Sequence, residues 1–283
     1  FMHQRYSKAL LLFSLPVLLA ACGEKQEPAP QLTPQQMHER VQALLKPNVE
    51  SSATEYKEAL SLLQRSAAAG YLPAQVDWAG VLLEGSKDGS VGKDPEQAFQ
   101  WYARAAKRGS LVATHNCGMI LRDKGLLAEA IPYFRTAALG GVPESQYQLG
   151  RILLQQGNPE ALGFISKAAE SNSAATVAAA AFTLGHVYGK GKAGIPADAE
   201  QSTQWYIRSA NAGDPRALYI VGMMYLVGDS VPQDAQKGES MLRMSAGQDY
   251  LPAIRILIDH ILQSPEEIAA WQKREQDLSK KKQ

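Results

Sequence analysis

Small and apolar residues recur along this chain in a spacing that suits a helix packed on one face. In "AAFTLGHVYGKG" (Ala180 to Gly191) and "ALYIVGMMYLVG" (Ala217 to Gly228) a small residue leads. An apolar residue follows four on, a small one five on, and an apolar or aromatic one eight on. Those offsets share one helical stripe. The same frame fits Ala74, Trp78, Ala79 and Leu82, then Ala113, Cys117, Gly118 and Leu121, then Ser145, Leu149, Gly150 and Leu153. The fifth position must be small where a paired helix crosses, because a side chain there would hold the two backbones apart. A second pattern alternates with the first. "AFQWYARAAKRG" (Ala98 to Gly109) and "STQWYIRSANAG" (Ser202 to Gly213) set an aromatic pair one turn before a small pair, with glycine three residues after it. The small pairs lie at Ser66-Ala67, Ala105-Ala106, Ala137-Ala138, Ala168-Ala169, Ser209-Ala210 and Ser245-Ala246, separated by 39, 32, 31, 41 and 36 residues. Repetition at that period marks a stacked solenoid of short units.

Turn signals cut each unit into helix A, turn and helix B: "EGSKDGSVGKDPEQ" (84 to 97), "RDKG" (122 to 125), "QQGNPE" (155 to 160), "GKGKAGIPAD" (189 to 198) and "GDSVPQD" (228 to 234). Asp94-Pro95 pairs an N-cap with proline at the first helical position, and glycine after the second helix supplies a left-handed C-cap. No alternating run long enough for a strand competes. The fold class is all-α.

The start of the chain departs from this pattern. Ala9 to Ala21 is an apolar run preceded by Arg5 and Lys8, too short for a bilayer-spanning helix and built like a secretory signal peptide. Its end, "LAAC", resembles the lipobox of bacterial lipoproteins. That resemblance implies cleavage before Cys22 and acylation of that cysteine. Pro28, Pro30 and Pro34 then mark residues 22–35 as an extended tether, a dozen residues of which reach about 40 Å. The expected organisation is a signal peptide over 1–21, a lipidated tether over 22–35 and the repeat body over 36–283. Residues Gly23-Glu24 lack the aspartate that resembles an inner-membrane retention signal, which favours the periplasmic face of the outer membrane.

Charge and cysteine content narrow the partners. Twenty-nine Lys and Arg against 28 Asp and Glu leave a net charge of +1, so no global field attracts nucleic acid. Cys22 and Cys117 are the two cysteines. With Cys22 acylated, Cys117 has no partner and no disulfide framework supports the fold.

With these residues in view, the frame A-x3-[LV]-G-x2-Y-x2-G followed by W-Y-x-[KR]-[AS]-A-x2-G resembles the Sel1-like repeat, a relative of the tetratricopeptide repeat. The resemblance implies a right-handed solenoid of helix-turn-helix units. Copies over 74–109, 180–213 and 217–249 match it. Those over 113–141 and 145–172 have short loops and resemble plain tetratricopeptide units, and 36–70 is a degenerate first copy. At the far end Ile258 takes the small position, so 251–280 is expected to be a capping helix pair.

Motifs for chemistry are sparse. "GKGKAG" at 189–194 satisfies G-x-G-x-x-G, but it follows a helix where a dinucleotide site needs a strand before it, so it reads as a turn. His3, His38, His115, His186 and His260 show no metal-ligand spacing. Cys117 sits at the apolar fourth position and reads as core. Trp101, Tyr102, Tyr133, Phe134, Trp205 and Tyr206 read as packing between helices, and the basic end 273–283 as a solvated helix. No nucleophile elbow, phosphate loop or HExxH occurs. The chain reads as a non-enzyme without catalytic residues, cofactor or metal. The contrasting possibility is a metal-binding or catalytic protein using His115 and His186.

What remains is a surface. By resemblance to tetratricopeptide units, one face of the A helices lines a groove. The frame places there Val112, His115, Met119 and Arg122; Glu144, Tyr147, Arg151 and Leu154; Phe182 and His186; and Arg216, Tyr219, Met223 and Leu226. Arginine, methionine and aromatic residues are enriched at interfaces, and Arg122, Arg151 and Arg216 suit a partner with surface carboxylates. One protein partner is therefore expected, with membrane contact through the lipid and none with nucleic acid. Compact lipoproteins of this kind resemble immunity proteins that neutralise phospholipase effectors of type VI secretion. Longer relatives resemble scaffolds for exopolysaccharide export or envelope assembly.

Overall fold

The computed structural model describes residues 31–46, 49–192 and 194–280. The expected signal peptide, Cys22, His3 and most of the tether lie outside them. Helices alternate as A and B along the chain: α1 (Pro34–Leu44) with α2 (Ala53–Ala68), α3 (Leu72–Glu84) with α4 (Pro95–Lys107), and α5 (Leu111–Asp123) with α6 (Leu127–Leu139). Next come α7 (Pro143–Gln155) with α8 (Glu160–Ala169), α9 (Ala174–Lys190) with α10 (Ala199–Asn211), and α11 (Pro215–Val227) with α12 (Ala235–Gly247). Each helix packs on the one before and the one after, and α7 also meets α9 directly. The result is a right-handed solenoid of helical hairpins with no strand among the described residues.

The small fifth position does what the pattern requires. A Cβ on Gly118 would stand 2.8 Å from the Phe134 ring, one on Gly150 2.5 Å from Ile165, and one on Gly185 2.8 Å from the Tyr206 ring. On Gly222 it would lie 3.0 Å from the Gly238 carbonyl oxygen. In each pair helix A is crossed by its own helix B. The fourth-position residues Trp78, Cys117, Leu149, Leu184 and Val221 are buried beside these crossings, as are Tyr102 and Phe134, while Trp101, Tyr133, Trp205 and Tyr206 are half-buried between helices.

The small pairs carry a bond that periodicity does not show. Ser66 Oγ donates to the Pro34 carbonyl at 2.5 Å, Ser209 Oγ to Ala178 at 2.7 Å and Ser245 Oγ to Pro215 at 2.6 Å. Each ties a B helix to the first turns of its own A helix. Asp94, Asp198 and Asp234 cap α4, α10 and α12 by accepting the backbone N–H three residues on. After the B helices, Gly70, Gly109, Gly141 and Gly213 take φ near +90°. Asp249 holds the equivalent place at φ 63°, and its carboxylate accepts Arg274 Nε at 2.6 Å.

That bond belongs to the cap. Helix α13 (Leu251–Ile256) runs into a π-helical turn over Leu257–Ile261, and α14 (Pro265–Lys280) follows. Leu257 is fully buried and Ile258 only partly so. Ion pairs Arg243–Glu267, Arg255–Glu275 and Arg274–Asp249 pin α14 across the end of the stack. Of the "GKGKAG" segment, Gly189 and Lys190 end α9 and Gly191 is its left-handed C-cap at φ 64°.

Candidate functional site

The groove-side positions of the A helices lie next to one another across successive units, and several touch. From α5, His115 Nδ1 lies 2.7 Å from Ser145 Oγ of α7. From α7, Glu144 accepts hydrogen bonds from Ser173 Oγ (2.9 Å) and Thr176 Oγ1 (3.0 Å), and Tyr147 Oη lies 3.2 Å from Thr183 Oγ1 of α9. From α9, the Phe182 ring receives the Arg216 guanidinium of α11 at 3.9 Å. The Tyr219 ring meets Tyr250 at 5.6 Å. His115, Met119, Tyr147, Phe182, His186, Tyr219 and Met223 are all half-buried: one edge is packed and the other faces solvent. Val112 is 57% exposed.

The arginines divide. Arg216 is held by Asp214, which accepts from its Nε at 3.0 Å and its Nη2 at 2.6 Å. Two of its five donors and one face of its plane are thus engaged within the fold. Arg216 is anchored from within. Arg122 pairs with the neighbouring Asp123 at 2.6 Å. Arg151 is exposed over the Tyr147 ring at 5.6 Å, outside the ion pairs of the described residues.

The histidines stand apart, with His115 on α5, His186 on α9 and α7 between them. Among the described residues no three His, Cys, Asp or Glu side chains form a group able to hold a metal. Burial pushes the His115 pKa below its usual value. Glu144 opposes that shift and Arg122 adds to it. A folded imidazole that resists protonation contributes its full stability above the unfolded pKa near 6.5. That contribution is lost as pH falls from there toward the folded pKa. The thermal midpoint should therefore drop between pH 7.5 and 5.5. His115→Gln should flatten that slope in a pH series of melts; an unchanged slope would assign it elsewhere.

Cys117 is fully buried, and burial alone pushes its thiol up to about 12. A thiol this far from ionising is inert at neutral pH. Native protein should resist iodoacetamide at pH 8 while protein in urea reacts readily, as read by mass spectrometry. Comparable rates in the two states would contradict the core placement.

A cleft of about 300 Å³ opens where the carboxyl ends of α7 and α9 meet, lined by Leu154, Gln155, Thr183, His186, Val187 and Lys192. Sequence reasoning placed Leu154 and His186 on this face and missed Lys192. That residue lies in the loop after α9, where helical spacing predicts no facing.

Comparison with known proteins fits this geometry. The Sel1 repeat model matches residues 54–71, 72–110, 143–173, 178–214 and 215–250. The unit over 143–173 thus matches as a Sel1 repeat despite its short loop, where the sequence pattern alone resembled a plain tetratricopeptide unit. An uncharacterised protein of Neisseria meningitidis serogroup B, NMB1327, is 29% identical over 219 residues, 76% of this chain and 45% of that protein. The chain spans less than half the length of the curated relatives it matches. The crystal structure of a Sel1 repeat protein from Oxalobacter formigenes superposes with a TM-score of 0.69 at 26% identity, covering 80% of this chain and 96% of that one. The immunity protein PA5088 of Pseudomonas aeruginosa is more distant, with a TM-score of 0.49 and 17% identity over 84% of this chain and 90% of its own. That likeness is one of helical architecture alone.

Proposed function

The chain belongs to the Sel1 repeat family of protein-interaction modules, and from that premise we propose that the A-helix groove grips a single protein partner. One observation carries the reading. Met119, Tyr147, Phe182, Tyr219 and Met223 stand half-buried on four consecutive A helices, each packed on one side and open on the other. Apolar groups held rigid in this way lose little conformational entropy on binding.

The finer reading is an immunity role. The partner is a phospholipase-type toxin delivered into the periplasm, and the protein waits on the outer membrane, tethered through Cys22. The "LAAC" motif after a short apolar run supports the tether, and a tethered inhibitor would stand where a lipase attacks. Cys22→Ser should move the protein from the membrane to the soluble fraction; retention after carbonate washing would contradict the anchor.

The test of the groove is a pull-down of native lipidated protein from detergent-solubilised envelope, beside a Tyr147→Ala/Tyr219→Ala variant. A stoichiometric partner lost from the variant, with helicity unchanged, supports the groove. A partner that stays bound removes it. If the partner is a lipase whose activity falls on binding, the immunity reading stands. A secretin or assembly factor would replace it with a scaffold.

A further inference from the structure

We infer that the cleft between the carboxyl ends of α7 and α9 is an anion-binding subsite of the groove, taking an acidic segment of a protein partner with an apolar side chain seated in it. The inference rests on the groove reading and adds to it the chemistry of what binds.

Three observations meet at this place. The cleft has an apolar floor of Leu154 and Val187, large enough for a leucine or phenylalanine side chain. Its rim is cationic. Lys192 lines it, Lys190 and Lys192 both act electrostatically on His186, and Arg151 lies one turn before Leu154 on the same face of α7. Arg151, Lys190 and Lys192 are exposed, and none enters an ion pair among the described residues. Elsewhere in the groove the positive groups are already matched, Arg122 by Asp123 and Arg216 by Asp214.

A basic residue at a helix carboxyl end is ordinary, since it offsets the helix dipole. Here, however, Lys192 lines the apolar cleft, Lys190 acts on its lining residue His186, and Arg151 lies over Tyr147, whose hydroxyl meets the lining residue Thr183. Charges brought together in this way repel one another, and a carboxylate relieves that repulsion. An acidic segment would gain from each of the three, and its apolar side chain from the floor. A basic or neutral segment would gain only from the floor.

Fluorescence anisotropy with three labelled heptapeptides tests this directly: Ac-EELFEEL-NH2, its glutamine counterpart and its lysine counterpart. The acidic peptide should bind at least tenfold more tightly than the neutral one, with the difference shrinking between 0.05 and 0.5 M salt. Arg151→Glu/Lys192→Glu should erase the preference with helicity unchanged, because among the described residues neither side chain makes a hydrogen bond or ion pair. Equal affinity for all three peptides, or a preference that survives the double variant, overturns the subsite. The Tyr147→Ala/Tyr219→Ala pull-down reports separately on the groove. A partner that depends on the tyrosines but is indifferent to Arg151 and Lys192 would leave the groove standing and remove the subsite.

Discussion

Gly150→Val should lower the unfolding free energy by about 3 kcal/mol, at the upper end of what overpacking costs in a well-packed core. The first atom of any side chain at this position already collides. A Cβ would lie 2.5 Å from Ile165 Cγ1, 3.0 Å from the Ala161 carbonyl and 3.1 Å from the Ile165 backbone nitrogen. Two of those three neighbours are backbone, so no rotamer change relieves the clash and α7 must move away from α8. At Gly118 and Gly185 the obstacle is a ring face of Phe134 or Tyr206, which can tilt, so the same substitution should cost less there. Urea unfolding followed by circular dichroism gives the ranking. The control is Gly163→Ala on α8, where a Cβ meets nothing within 4 Å. Removing a glycine from a helix interior should raise stability by about 0.5–1 kcal/mol. If valine at 150 is tolerated as well as at 118, the close crossing of α7 and α8 is wrong. Because each unit contacts only its neighbours, the damage should also broaden the transition as the stack separates into two halves around α7.

Asp214→Ala should be the next most damaging change, at about 2 kcal/mol. Asp214 is 6% exposed and works twice. Its Oδ1 accepts the backbone N–H of Arg216 at 2.9 Å and of Ala217 at 3.2 Å, capping α11. The same carboxylate holds the Arg216 guanidinium over Phe182. Losing the cap costs about 1 kcal/mol. The ion pair adds less than a fully buried one would, since Arg216 is 43% exposed and stays partly solvated. Asp214→Asn separates the two roles, because asparagine caps nearly as well but carries no charge; it should cost roughly half as much. An Asp214→Asn melt that coincides with wild type would show the ion pair to contribute nothing, and one that coincides with Asp214→Ala would show the same of the cap. Freed from Asp214, Arg216 would also leave the Phe182 face, so both variants should weaken partner binding by more than their stability loss explains.

How much of this was legible in the sequence depends on the range of the interaction concerned. The helical frame, the crossings at Gly118, Gly150, Gly185 and Gly222, and the burial of Cys117 follow from offsets of three to five residues. A helix fixes those geometrically whatever surrounds it. The end of the stack was legible for the same reason, since Ile258 cannot occupy a crossing. Of the residues assigned by position to the groove face, Met119, Tyr147, Phe182, Tyr219 and Met223 lie half-buried on adjacent A helices, while Val112, Glu144 and Arg151 are exposed.

What those residues do there was decided by tertiary structure alone. The repeat frame assigns Arg122, Arg151 and Arg216 to the same face. Yet Asp214 holds one, Asp123 takes another and only Arg151 stands free of an ion pair among the described residues. Lys192 joins the α7–α9 cleft from a loop that has no period to read. The serine hydroxyls that fasten helix B to helix A act across 30 to 32 residues, and in the pattern they were simply small. Periodicity reports which way a side chain leaves its own helix. The partner it meets depends on the rise and rotation from one unit to the next, and those are set only when the units pack.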